Sequence, residues 1–165
     1  MIVVVMGVSG SGKTTVGRLI AERLEWRFIE ADDYHPQHNV DKMAAGIPLE
    51  DADRWPWLER LNALLRECSS AGRDAVLACS ALKEAYRAKL RRGIDDFRLV
   101  YLKGSFEQIH ARIAERHHRY MPASLLESQF DTLESPADAI TVDVSDSPEA
   151  GAAKVVAAIS ALRAS

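Results

Sequence analysis

Residues 7–14 have the types and spacing that bind the phosphates of a nucleotide. They read Gly7-Val-Ser-Gly-Ser-Gly12-Lys13-Thr14, which matches Gly-x-x-x-x-Gly-Lys-Ser/Thr without deviation. Glycines let main-chain N–H groups wrap the phosphates, and the following helix adds its positive N-terminal dipole. We expect Lys13 to reach the β- and γ-phosphates of ATP and Thr14 to bind Mg²⁺. The predicted phosphate-binding residues are Gly7, Val8, Ser9, Gly10, Ser11, Gly12, Lys13 and Thr14.

Three acidic residues, Glu30, Asp32 and Asp33, follow a short apolar stretch. Phosphoryl transfer to a hydroxyl needs a carboxylate that accepts the proton and aligns the oxygen. Asp32 is the candidate for that base, and Glu30 is a candidate for binding a metal-coordinated water. A solvated acidic turn is the alternative interpretation, and it stays open at this point.

Three arginines, Arg112, Arg116 and Arg119, run from the end of a helical pattern into residues 117–122. Arginines on a segment that closes over a site can neutralise charge on the transferring phosphoryl group. Arg116 is the candidate catalytic arginine, and a solvated basic helix face is the alternative. The adjacent His117 and His118 are expected to be bystanders, because no carboxylate partner accompanies them.

Four further cations are expected near one edge of the fold: His35, Arg54, Lys83 and Arg87. Several cations together suit a carboxylate, and arginine can bind one through two parallel hydrogen bonds. Each of them alone is equally consistent with an ordinary surface charge. The residue types therefore predict a kinase for a small, hydroxylated and acidic substrate.

The elements that must position these residues alternate between short apolar runs and helical patterns. This alternation predicts an α/β fold with a five-stranded parallel sheet, covered by helices on both faces. Ligands of such sheets bind at the carboxyl ends of the strands, here in segments 7–14, 30–36, 79–87 and 103–104, with residues 116–122 as a closing lid. The predicted strands are Ile2–Met6, 28–29, 75–79, 99–102 and 140–144; the predicted helices are Lys13–Leu24, 57–68, 83–90, one opened by a capping box at 105–108, 122–133 and one that starts at 147–148.

Composition narrows the class of protein. A chain of 165 residues fits one domain, and a net charge of −3 gives no global field for nucleic acid or an anionic membrane. No apolar run approaches the length of a membrane span. Cys68 and Cys79 show no disulfide framework or metal spacing, so a reducing cytoplasm is expected. A GTPase base-reading motif is absent, and the third predicted strand ends in Cys79-Ser80 without the acid of a motor ATPase.

Beyond the phosphate loop, the chain resembles the short P-loop gluconokinases, relatives of shikimate kinase. The resemblance covers nearly the whole chain and is carried by several stretches in order: Ala31-Asp-Asp-Tyr-His-Pro36, Asn39 with Lys42-Met43, Gly46-Ile-Pro-Leu49, Asp51-Ala-Asp-Arg-Trp-Pro-Trp-Leu58, Cys79-Ser-Ala-Leu-Lys83 with Tyr86-Arg87, and Ser128-Gln-Phe130 with Leu133-Glu134.

The resemblance implies the transfer of a phosphoryl group from ATP to D-gluconate, with Mg²⁺, giving 6-phosphogluconate and ADP. By it, Asp32 contacts the acceptor hydroxyl and Arg54 holds the substrate carboxylate. It also implies that Lys83, Arg87 and His35 flank the substrate, that Arg112 and Arg116 are lid arginines at the phosphates, and that the protein is a homodimer.

One stretch departs from the family pattern. Where the family usually reads Gly-His-Phe-Met-Pro in the lid, this chain reads His118-Arg-Tyr-Met-Pro122. The family's glycine and histidine are both replaced, so no role is carried over from that histidine. The alternatives are a kinase for another sugar acid or cyclic hydroxy acid, and a nucleotide-binding switch module that phosphorylates no acceptor.

Overall fold

A computed structural model describes residues 1–115 and 123–164 of the chain. Strands and helices alternate along most of it. In chain order the elements are β1 (Ile2–Met6), α1 (Lys13–Leu24), β2 (Arg27–Glu30), a 3₁₀ turn (Ala31–Tyr34), α2 (Gln37–Ala44), α3 (Asp51–Ser70), β3 (Ala75–Ala78), α4 (Glu84–Arg91), β4 (Phe97–Lys103), α5 (Phe106–Glu115), α6 (Ala123–Thr132), β5 (Ile140–Asp143) and α7 (Pro148–Ala164).

The five strands form one parallel sheet in the order β2-β3-β1-β4-β5. The central strand β1 is fully buried, because its alternate side chains enter two separate cores. One core packs β1 against Leu58, Leu61 and Leu65 of α3. The other packs it against α1 and α7, through residues such as Ile20 and Ile159. The predicted fold class, a parallel sheet with helices on both faces, is confirmed.

Helix α3 begins at Asp51, six residues before the predicted start at residue 57. A capping box fixes this start, since the Glu50 side chain accepts from the Asp53 backbone and the Asp53 carboxylate accepts from the Glu50 N–H at 2.9 Å. Pro56 lies inside the helix. The prediction from apolar spacing alone was therefore wrong at this end.

Helix α2 and the 3₁₀ turn before it were not predicted. The turn carries Asp32 and His35 directly follows it, so this unpredicted stretch positions two candidate site residues. The predicted capping box at Ser105 is confirmed, because Ser105 and Gln108 bond reciprocally at 2.8 and 3.2 Å. None of the described helices is both long and apolar enough to cross a membrane.

Candidate active site

A cavity of about 350 Å³ opens between the phosphate loop and the carboxyl ends of β2 and β3. The parallel order of the sheet brings these ends to one edge, as the sequence predicted for segments 7–14, 30–36 and the start of 79–87. The lining residues combine loop glycines, one lysine and two acids: Ser9, Gly10, Gly12, Lys13, Thr14, Thr15, Glu30, Asp32, Ala78, Cys79, Ser80 and Ile113.

The loop between β1 and α1 takes its shape from glycines with positive φ. Gly10 has φ of 80° and Gly12 has φ of 99°, a region that other L-residues rarely occupy. Gly12 is the N-cap of α1, and its carbonyl accepts from the Val16 N–H at 2.9 Å. The positive end of α1 therefore points into the cavity, where an anion would sit.

Lys13 is the cation of this cradle. Its Nζ donates to the Val8 carbonyl at 3.0 Å. Burial lowers the pKa of Lys13, while the charges of Asp32, Cys79 and Glu30 act to raise it. A desolvated ammonium held by one neutral carbonyl is electrostatically suited to phosphate oxygens.

Thr14 and Glu30 both line the cavity and contact each other there. The Thr14 hydroxyl donates to the Glu30 carboxylate at 2.6 Å. No described group of three or more His, Cys, Asp or Glu residues forms a protein-only metal site. A hydroxyl beside a carboxylate offers the hard oxygen donors that Mg²⁺ prefers, and Mg²⁺ usually keeps waters and phosphate oxygens as its other ligands.

Asp32 lies at the mouth of the cavity, with its side chain 80% exposed. The Nε2 atom of His35 is 3.8 Å from its carboxylate. The Asn39 amide donates to the Asp53 carbonyl at 2.9 Å and meets His35 Nδ1 at 3.1 Å, which makes Nδ1 the acceptor and leaves the proton on Nε2. His35 stacks on Trp57 with ring centroids 4.1 Å apart, and this packing fixes the ring toward Asp32.

Arg54 has unused hydrogen-bonding capacity. Its Nε is buried without a hydrogen-bond partner in the described part of the chain, and its Nη2 donates to the Leu49 carbonyl at 3.3 Å. The guanidinium lies over the Tyr86 ring at 5.5 Å. A buried N–H without a partner is costly, and Arg54 is not among the residues that line the cavity of about 350 Å³, so its role as a carboxylate clamp stays a prediction.

Lys83 and Arg87 are already engaged within the protein. Lys83 donates to the Asp51 carboxylate at 3.1 Å, and Tyr86 donates to the same carboxylate. Arg87 is only 3% exposed; its Nη1 donates to the Ala81 and Leu82 carbonyls at 3.0 Å, and its Nη2 pairs with Glu84 at 2.8 Å. Neither lines the cavity, and their substrate role stays a prediction.

Arg112 lies on the far side of the phosphate loop. Its guanidinium donates to the Val144 carbonyl and, with Gly12, Thr15 and Pro148, lines a smaller cavity. Arg116 and the predicted lid, residues 116–122, lie outside the described residues.

Gln129 of α6 contacts the phosphate loop, and the sequence did not predict this contact. Its side-chain amide bonds Ser9 of the phosphate loop twice, at 2.7 and 2.9 Å, across 120 positions of the chain. The only signal was its place in the Ser128-Gln-Phe130 stretch that resembles the family, which gave it no role.

A parallel sheet, a glycine-lined phosphate loop and a carboxylate that faces it define a P-loop kinase. The AAA domain family matches residues 2–139. A probable gluconokinase of Xenopus tropicalis is 47% identical, over 83% of this chain and 80% of the relative. The crystal structure of a gluconokinase from Sinorhizobium meliloti 1021 superposes with a TM-score of 0.86 at 42% identity, over 97% of this chain and 91% of that one.

These similarities extend over nearly the whole described fold. The chain belongs to the gluconokinase family of P-loop kinases. A shikimate kinase from Aquifex aeolicus shares the fold, with a TM-score of 0.63, 18% identity and coverage of 99% of this chain and 98% of that one. The resemblance drawn from the sequence is thereby confirmed.

Proposed function

We propose that this protein transfers the γ-phosphoryl group of ATP to a hydroxyl of D-gluconate, which gives 6-phospho-D-gluconate and ADP. The observation that carries the proposal is that Lys13 and Asp32 line one cavity, in a chain that belongs to the gluconokinase family. A phosphate-binding cation and an exposed carboxylate in one cavity supply the two charged groups that phosphoryl transfer to a hydroxyl needs.

The chemical step needs in-line geometry and charge stabilisation more than covalent chemistry. Asp32 accepts the proton of the attacking hydroxyl and orients its oxygen toward the γ-phosphorus. Lys13 moves from the Val8 carbonyl to the β- and γ-phosphate oxygens, where its charge stabilises the transition state. Arg112 and Arg116 are proposed as further phosphate ligands of ATP.

Mg²⁺ is the proposed metal, held by the Thr14 hydroxyl, with Glu30 binding a metal-coordinated water. Their direct contact at 2.6 Å supports this assignment, because it places two hard oxygen donors side by side at the phosphate cradle. When bound, the ion neutralises charge on the β- and γ-phosphate oxygens.

The substrate carboxylate is proposed to bind Arg54. Its buried Nε lacks a hydrogen-bond partner in the described structure, and a carboxylate would satisfy it in a planar, two-bond geometry. His35 presents its Nε2–H beside Asp32 and is proposed to contact a substrate hydroxyl. Lys83 and Arg87 complete the proposed substrate set. Lys83 acts through its ion pair with Asp51, and Arg87 acts by holding the backbone carbonyls of Ala81 and Leu82.

The homodimer and the cytoplasmic location implied by the sequence remain proposals, and size-exclusion chromatography with light scattering tests the first. The test of activity is ADP release with gluconate, glucose, shikimate and a nucleoside as acceptors. We expect turnover that depends on gluconate. Equal ADP release with and without gluconate at saturating Mg-ATP would contradict the proposal.

Two variants separate the base from the carboxylate clamp. Asp32→Asn should lower kcat by about 10²-fold or more, with ATP affinity retained. Arg54→Lys should raise the KM for gluconate about tenfold and leave the residual turnover of glucose nearly unchanged, since glucose has no carboxylate. Arg60→Lys, on the same helix but stacked on Tyr34, is the matched control. An equal loss for both sugars in Arg54→Lys would exclude the clamp.

A further inference from the structure

The side chain of Gln129 is bound to the phosphate loop at both of its polar atoms. Its Oε1 accepts from the Ser9 backbone N–H at 2.7 Å, and its Nε2 donates to the Ser9 hydroxyl at 2.9 Å. The backbone N–H can only donate, so the orientation of the Gln129 amide is fixed by its partner. Ser9 lines the cavity that also holds Lys13 and Asp32.

The Ser9 N–H belongs to the same peptide unit as the Val8 carbonyl, and a peptide unit is rigid and planar. That carbonyl accepts from Lys13 Nζ at 3.0 Å and from the Ser11 N–H at 3.2 Å. In a trans peptide the N–H and C=O point in opposite directions. Gln129 on one side of this peptide and Lys13 on the other therefore determine a single orientation of the same plane.

A neighbouring contact reinforces the position of this loop. A Cβ placed on Gly10 would lie 2.6 Å from Ile113 Cγ1 of α5, so α5 packs directly against the backbone next to Ser9. Helices α5 and α6 thus contact consecutive residues of the loop. The α5 contact is apolar packing, whereas the α6 contact is a directional pair of hydrogen bonds.

We propose that Gln129 is a positioning residue for phosphoryl transfer, which acts through Ser9 to hold the Val8–Ser9 peptide with its carbonyl toward Lys13. Without Gln129 this peptide can rotate, and the loop backbone that presents N–H groups to the phosphates is no longer preorganised, which weakens ATP binding. The inference rests on the proposed kinase function for its kinetic consequences, but its binding consequences concern ATP alone.

The test compares Gln129→Met with the parent enzyme, because methionine has similar length and cannot make either hydrogen bond. We expect kcat/KM for ATP to fall about tenfold, the effect of losing one or two partly buried hydrogen bonds, while the KM for gluconate stays within about twofold. Glu127→Gln, an exposed position on the same helix, is the matched control and should behave as the parent.

A double-mutant cycle with Ser9→Ala shows whether Gln129 acts through Ser9. Ser9→Ala removes the hydroxyl partner and keeps the N–H, so the double variant should lose less than the product of the two single losses. Losses that multiply would overturn the proposal. So would a Gln129→Met enzyme whose kcat/KM for ATP equals that of Glu127→Gln.

Calorimetric binding of ATP to the same variants keeps this test independent of the acceptor. We expect Gln129→Met to weaken ATP binding about tenfold, whether or not gluconate is the substrate. A parent enzyme that binds ATP but does not phosphorylate gluconate would refute the proposed function only. A Gln129→Met variant with parental ATP affinity and parental melting temperature would refute the positioning role only.

Discussion

His35 is a histidine whose environment favours its neutral form. Burial against Trp57 lowers the pKa of His35 below its ordinary value of 6.5; Asp32 opposes this shift and Arg54 adds to it. The neutral ring accepts from Asn39 at Nδ1 and keeps its proton on Nε2. Protonation would turn an acceptor nitrogen into a donor that faces the Asn39 amide.

This arrangement predicts how stability changes with pH. The unfolded chain binds a proton on His35 near pH 6.5 and the folded chain only at lower pH, so the contribution of His35 to stability is fully present above 6.5 and is lost as the pH falls through the folded pKa. Melting temperatures between about pH 5 and about pH 8 measure it. His35→Gln should have a flatter curve than the parent.

His110→Gln is the control for this experiment, because His110 is exposed on α5. Its curve should run parallel to that of the parent. If His35→Gln and the parent lose stability equally between neutral and mildly acidic pH, the buried neutral histidine is not what makes the fold sensitive to acid.

Helix α5 packs so closely on the phosphate loop that position 10 must be a glycine. Gly10 has φ of 80° and no room for a Cβ beside Ile113, whereas Gly72 has φ of 66° and open space around it. Gly72→Ala should cost only backbone strain, about 1–2 kcal/mol, and leave kcat/KM for ATP unchanged. Gly10→Ala should also displace the phosphate loop and lower kcat/KM for ATP by about ten- to a hundredfold.

Steady-state kinetics with varied ATP, together with thermal melts, check this pair. Ile113→Ala in the Gly10→Ala background removes the collision and should restore part of the lost kcat/KM for ATP. Gly10→Ala enzyme with the same kcat/KM as Gly72→Ala would show that α5 does not constrain the loop.

The sequence predicted the elements whose causes are local. The phosphate loop, the helix after it and the capping box at Ser105 each depend on residues a few positions apart, and each is found where expected. The start of α3 was missed because the apolar spacing begins only at Trp57, and because the cap pairs Glu50 with Asp53 instead of the usual Ser/Thr with Glu/Gln. Lys42 of α2 also holds the Asp53 carboxylate, with its Nζ at 2.8 Å.

The candidate site could be predicted only in part, because one of its contacts joins distant parts of the chain. Lys13, Asp32 and Thr14 follow from motif and strand order, and they line one cavity. The contact between Gln129 and Ser9 joins residues 120 positions apart and depends on tertiary packing, which neither residue type nor periodicity encodes.

For the molecule as a whole, both cysteines lie in the core. Cys68 and Cys79 are free and buried, and burial raises the pKa of Cys79 to about 12. Both thiols are shielded from solvent by burial, so neither should react with a disulfide reagent at about pH 8 while the protein is folded. Labelling measured against time should follow unfolding and slow further when ATP is bound. Fast labelling of the native protein would contradict this.

The order of the strands also governs when the protein can fold during its synthesis. β1 is made first but lies at the centre of the sheet, and its partners β3 and β4 begin at residues 75 and 97. Until β4 has left the ribosome, β1 has at most one neighbouring strand. The phosphate loop that follows β1 then lacks the complete sheet that holds it in place. Helix α7, which packs with α1 in the same core, comes last. A nascent chain therefore carries its nucleotide-binding signature well before it has a site able to bind a nucleotide.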